Sequence, residues 1–172
     1  MDTPRIELTV ADRLAIRELV DRYNDAINHR NWVGLAGLFA PDATWEVAAP
    51  LNLRFESSAK IAGGLRWMIG RMELLVQVSS AVVITALEPD RALVRSTMIE
   101  FSRQRPGGAG MRSTGTHHDE VQRTAGTWYF KHRTFRTRYL DHAPLPGEVH
   151  ENCAPDLGGD GTDRSGLDHK PA

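Results

Sequence analysis

The chain has 172 residues, 41% hydrophobic and 25% charged, enough for one domain with a buried core. Its 21 Lys and Arg balance 22 Asp and Glu to a net charge of −1 with no basic run, so neither nucleic acid nor an anionic membrane is an expected partner. Met1-Asp2-Thr3-Pro4-Arg5 lacks a signal peptide's pattern, the apolar run 74–87 is too short to span a bilayer, and the lone Cys153 excludes an internal disulfide. The expected compartment is the cytoplasm.

Ile16, Leu19, Val20, Tyr23 and Ile27 fall at helical spacing and predict an amphipathic first helix, entered through a capping box of Thr9 and Asp12. Trp32, Leu35, Leu38 and Phe39 form the apolar stripe of a short second helix. Pro41-Asp42-Ala43 stops it, and 44–47 alternates as a strand. Beyond Pro50, 52–57 continues a hairpin. Residues 58–73 read as a third helix with Ile61, Leu65, Met68, Ile69 and Met72 on one side; Gly63, Gly64 and Gly70 weaken it by roughly 1 kcal/mol each.

Four long strands follow, at 74–87, 92–104, 111–123 and 127–141. Turns at 88–91 and 124–126 and a Pro/Gly loop at 106–110 join them into an antiparallel meander. Helices followed by sheet give an α+β class, with the helices on one face of a curved sheet. The expected division is an N-terminal arm at 1–8, a domain at 9–141 and a flexible, Gly/Pro/Asp-rich tail at 142–172. Within the tail, Gly158-Gly159-Asp160-Gly161-Thr162-Asp163 matches a calcium-binding repeat. A single copy cannot stack into a β-helix, so a linker is the better reading.

The run Ala15-Ile16-Arg17-Glu18-Leu19, then Tyr23, Trp32, Leu35 and Leu38-Phe39-Ala40-Pro41-Asp42-Ala43, resembles the start of a SnoaL-like domain of the NTF2-like superfamily. Gly115-Thr116-His117-His118-Asp119-Glu120, Gly126-Thr127-Trp128 and Arg133 resemble that family's final hairpin. The resemblance covers roughly 9–141. It implies a cone-shaped antiparallel sheet wrapped around the N-terminal helices, with a deep apolar pocket between them. In the family's scytalone dehydratase-like and dehydrochlorinase-like members, a carboxylate late in helix one orients a histidine on the first long strand, and the histidine moves a proton. Following the motif, those positions fall on Asn28 and Gln77. Amides hydrogen-bond a substrate but do not shuttle protons near neutral pH.

Other side chains must then carry any proton chemistry. Strand alternation puts His117 with Met111, Ser113, Gly115 and Val121 on an interior face, and His118 on a solvent face with Arg112, Thr114, Thr116 and Glu120. His117 is the candidate acid or base; the alternative is a buried histidine satisfying a backbone group. Periodicity leaves the orientation of Glu100 open. The family comparison turns it, with Val94 and Met98, toward the pocket, where it could pair with His117 or Arg133; otherwise it is an exposed strand charge.

Arg133, beside Tyr129, Phe135 and Tyr139, could stabilise an oxyanion, or merely pack its stem. Tyr23, on the core face of helix one, could donate to a carbonyl, or simply pack. Trp45, Met98 and Phe135 are candidate pocket walls, Trp128 an anchor for the last hairpin. Asn28 and Gln77 would position substrate. The histidines show no metal-ligand spacing and no cofactor motif occurs, so neither metal nor cofactor is expected. These features point to a cofactor-free lyase or isomerase of dehydratase or cyclase type, acting on a small, apolar, oxygenated ring compound. The alternative is a non-catalytic binding or assembly module, such as a dioxygenase small subunit. Family resemblance also implies a homo-oligomer, dimer or trimer.

Overall fold

In the computed structural model, residues 7–104 and 108–150 are described. Residues 1–6 of the expected arm, 105–107 of the Pro/Gly loop, and 151–172, with Cys153 and the calcium-like repeat, lie outside them. The elements are α1 (Val10–Asn28), α2 (Trp32–Ala36), β1 (Phe39–Val47), β2 (Leu53–Glu56), α3 (Ser58–Ile69), β3 (Met72–Glu88), β4 (Arg91–Gln104), β5 (Gly110–Thr124) and β6 (Thr127–Asp141).

Thr9 and Asp12 form the expected capping box, and Ile16, Leu19, Val20, Tyr23 and Ile27 are all buried. The cap also ties the helix to the far end of the chain. Asp12 accepts from the Trp128 indole at 3.1 Å and from Arg123 at 2.8 Å. Trp128 therefore anchors the last hairpin to the first turn of α1.

The second helix is shorter than its apolar stripe implies. It ends at Ala36, and Phe39 already begins β1. Pro41, expected as a stop, lies inside that strand, at an irregularity between the pairs Phe39–Phe130 and Thr44–His132 where no ladder bond is required of it. Helix α3 stops at Ile69, because Met72 to Leu75 are recruited into the ladder with β4. Gly64 of α3 has a packing role: a Cβ there would come within 2.4 Å of the Phe55 ring, so glycine lets the helix lie directly on β2.

The six strands form one curved, unclosed sheet in the order β2-β1-β6-β5-β4-β3. The meander β3 to β6 is antiparallel as expected, but β1 pairs with β6 in parallel, so the sheet is mixed rather than wholly antiparallel. The first strand is thus inserted beside the last, which brings Trp45 next to Arg133. Helix α1 lies across the inner face against β3 and reaches β6. Residues 142–150, where the tail was expected to begin, fold back along the sheet. Arg103 donates to the Gly147 carbonyl at 2.7 Å and also to the Leu145 carbonyl, and Arg112 to that of Pro144 at 3.4 Å.

Candidate active site in the cone

Register across the sheet sets the inner face in rows. One row runs Trp45, Arg133, Asp119 and Val94 over β1, β6, β5 and β4; the next runs Val47, Phe135, His117 and Ser96. Above them Tyr23 descends from α1. The Arg133 guanidinium carbon sits 4.0 Å from the Tyr23 ring centre and 4.3 Å from that of Phe130, so an aromatic sandwich holds the cation. Arg133 donates from Nη1 to Asp119 Oδ2 at 3.0 Å, with both side chains fully buried.

His117 is 2% exposed, 5.0 Å from Phe135 and 6.0 Å from Tyr23 between ring centres. Gly115 makes the Phe135 contact possible, because a Cβ there would meet that ring at 2.4 Å. Neither ring nitrogen of His117 has a hydrogen-bond partner among the described residues. The same holds for Asp119 Oδ1, Arg133 Nε and Nη2, Ser96 Oγ, Trp45 Nε1 and Gln77 Oε1. Each unmet buried polar atom costs about 1–3 kcal/mol, so their concentration along neighbouring rows is not a structural economy.

Burial sets the protonation states. It holds the His117 imidazole well below the ordinary value, and the charges of Arg133 and His118 push the same way, so the ring is neutral at pH 7. Burial pushes the Asp119 carboxyl up to about 7, against the pull of Arg133. The Tyr23 phenol rises to about 12 by burial, with Arg133 and the nearby Trp45 indole opposing; that indole still lacks a partner at hydrogen-bond geometry. A neutral base, a carboxyl able to hold or release a proton, a phenol donor and a fixed cation therefore converge.

Glu100 belongs to a different group. It is buried on the inner face, yet it pairs with neither His117 nor Arg133. It accepts from Gln77 Nε2 at 2.6 Å and from Ser102 Oγ at 3.0 Å, and burial raises its carboxyl despite these bonds and the Arg30 charge. The strand residue opposite His117 is Ser96, four positions from Glu100 or about 13 Å along β4, which explains the separation. Asn28 is committed elsewhere as well. Its Oδ1 accepts from the Gln77 backbone N–H at 2.7 Å and its Nδ2 donates to the Gln77 carbonyl at 2.9 Å, a two-point clamp between α1 and β3. Met98, opposite Gly115, is buried two strand positions from Ser96.

Asp119 was missed by the sequence reading although a signal existed: strand alternation puts it on the same face as His117. A carboxylate on an interior face needs a cation, and Arg133 was already assigned inward. His117, Asp119 and Arg133, expected to line a deep pocket, are all buried. The described depressions, of about 450 and 410 Å³, sit mainly on the outer face of the sheet. Tyr23, Phe39 and Phe130 pack against one another, and Tyr23 and Phe135 pack against His117. No group of three or more His, Cys, Asp or Glu suited to a metal ion occurs among the described residues.

Comparison with known proteins settles the family. The SnoaL-like domain description matches residues 8–134. This chain belongs to the SnoaL-like family. No curated relative matches it. Among solved structures, the SnoaL-like chain is similar to a candidate scytalone dehydratase from Novosphingobium aromaticivorans DSM 12444 (20% identity, TM-score 0.71, covering 79% of this chain and 90% of that one). It is also similar to a hexachlorocyclohexane dehydrochlorinase, LinA-type3, from Novosphingobium barchaimii LL02 (18%, TM-score 0.72, 82% and 94%). A type 2 dehydrochlorinase of that name gives 16% identity and a TM-score of 0.73, covering 85% and 97%. At these identities the likeness is one of fold.

Proposed function

We propose that this SnoaL-like domain is a cofactor-free lyase or isomerase, of dehydratase or cyclase type, acting on a small, mostly apolar, oxygenated ring compound. The observation that carries the reading is the convergence of unpartnered His117, Asp119 and Arg133 atoms beneath the Tyr23 ring. Names given to proteins of similar fold, a dehydratase and dehydrochlorinases, are those of eliminations. In this reading neutral His117 removes a proton from carbon next to a carbonyl. The Arg133 N–H groups and the Tyr23 hydroxyl meet the charge that develops on the carbonyl oxygen. Asp119, protonated in part near neutral pH, delivers a proton to the departing oxygen, which leaves as water. Glu100 and Gln77 shape the floor rather than exchange protons with substrate. Assembly as a dimer or trimer belongs to the same proposal and is measured by sedimentation.

The test is turnover of a panel of cyclic β-hydroxy ketones, followed by the absorbance of the conjugated product. His117→Ala is expected to lower the rate by about 10²–10⁴-fold with the circular dichroism unchanged. Equal turnover by wild type and variant would overturn the role of His117. A second reading, a binding module without turnover, is favoured by one observation: the family's proton-transfer positions carry amides, and Asn28 spends both its amide atoms on backbone. Saturable binding of panel members with no conversion of any would establish it.

A further inference from the structure

The outer face of the sheet carries a second polar centre, independent of the cone. Arg95 on β4 pairs with His118 on β5, Thr97 with Thr116, and Thr116 in turn with Arg136 on β6. Arg138 falls between the paired residues Thr137 and Tyr139 and has no partner position, as the extra residue of a bulge. Together Arg95, Thr97, Thr116, His118, Arg136 and Arg138 line an open depression of about 450 Å³. Arg95 and Arg136 start two strand spacings apart and two residues out of step, about 12 Å, and flank the β5 residues between them.

These arginines differ from most of the others in one respect. Arg22, Arg54, Arg91, Arg103, Arg112, Arg123 and Arg133 each meet a carboxylate. Arg95, Arg136 and Arg138 meet none among the described residues. The carboxylate two positions along from His118, Glu120, is already taken by Arg91, at 3.1 and 2.7 Å. Like charges gathered without a counter-charge repel one another. Their field is felt at His118, whose imidazole is held below its ordinary value by burial and then by Arg136 and Arg95. An external anion would remove that repulsion. Three separate guanidinium groups, with two threonine hydroxyls and an imidazole beside them, suit a group bearing three or more charged oxygens better than a single carboxylate.

We propose that this depression binds a compact oxyanion of the phosphate class, gripped by Arg95 from one side and by Arg136 and Arg138 from the other. Thr97, Thr116 and His118 complete the site. Its volume leaves room for a second phosphoryl group or an ester substituent. The site stands apart from the cone chemistry, and its test does not read turnover.

The probe is inorganic pyrophosphate added to the full chain at constant ionic strength, followed through the backbone amide shifts of Thr97, Thr116, His118 and Arg136. Saturable shifts confined to these residues are expected. Arg95→Gln, Arg136→Gln and Arg138→Gln should each weaken binding about tenfold or more with the unfolding midpoint unchanged. A parallel arm uses phosphatidylcholine vesicles carrying phosphatidylinositol phosphates. Co-sedimentation lost in the same variants would support the site and assign its phosphate to a lipid headgroup; binding of pyrophosphate alone would support a soluble ligand. Shifts that never saturate, or equal affinity in all three variants, would overturn the proposal. So would a silent titration in which Arg136→Gln alters the sedimentation of the ligand-free chain, since the arginines would then serve a second copy.

Discussion

Arg133 and Asp119 face each other across β6 and β5, joined at 3.0 Å with neither side chain exposed to solvent. A pair so placed is costly to break from one side, because the survivor keeps a buried, unpaired charge. Asp119→Ala is expected to destabilise the fold by about 3–5 kcal/mol in urea denaturation. Replacing both residues, Asp119→Leu with Arg133→Met, should cost clearly less than the two single changes added together. Simple additivity would mean that the two charges do not support one another.

Protonation of the same cluster predicts two opposed pH dependences. His117 is held below its ordinary value in the fold, so below about pH 6.5 the unfolded chain binds more protons and stability falls as the pH drops. Asp119 is raised to about 7 in the fold. Between its unfolded value of about 4 and that pH, the native state binds more protons, so stability falls as the pH rises. Between about pH 5 and 7, His117→Gln should weaken the first trend, leaving the share of His118, and Asp119→Asn should weaken the second, leaving the share of Glu100. Urea midpoints measured across that range decide it; identical slopes in wild type and both variants would refute the assignment.

The Asn28 clamp makes a local prediction. Asn28→Ala leaves the Gln77 backbone N–H and carbonyl without their partners and should cost about 1–3 kcal/mol. Amide exchange at Gln77 should accelerate first. Asn28→Asp, which restores a carboxylate where the family has one, keeps an acceptor for the N–H but sets a negative charge against the carbonyl. It should recover only part of the protection.

Asp12 closes the opposite end of α1. Removing it deletes the capping box and the acceptor for Trp128 and Arg123 together. Asp12→Ala should cost about 1–3 kcal/mol. Because the loss reaches the final hairpin, the Trp128 indole proton resonance should move although the residues lie 116 positions apart.

Those features legible from sequence were the ones with a local period or a local stop. The buried stripe of α1, its cap and the alternating strands of the meander depend on neighbours within a few residues. The start of β1 was misplaced because Leu38 and Phe39 extend a helical stripe as readily as they open a strand, and only pairing with β6 decides between them. Asn28 sits on the flank of the helical wheel and reads as exposed. Its role depends on a strand 49 residues away. The inward placement of His117 and Arg133 followed from alternation, whereas the partner of Arg133 required the register that sets Asp119 opposite it. Glu100 was turned inward correctly, but strand spacing kept it from the partners suggested for it.

The insertion of β1 beside β6 also orders events during synthesis. Trp45 emerges from the ribosome 88 residues before its neighbour Arg133, the same separation as in the adjoining Thr44–His132 contact. Until 127–141 follows, β1 has only the short β2 beside it, and the aromatic faces of Tyr23, Phe39 and Trp45 lack the strand that covers them. The cone is therefore completed by its last strand, which brings the guanidinium to the carboxylate and the aromatic layer to the histidine in one step. Closing so distant a contact late is slow, and a nascent chain stalled before residue 127 would expose the apolar surfaces that the finished fold hides.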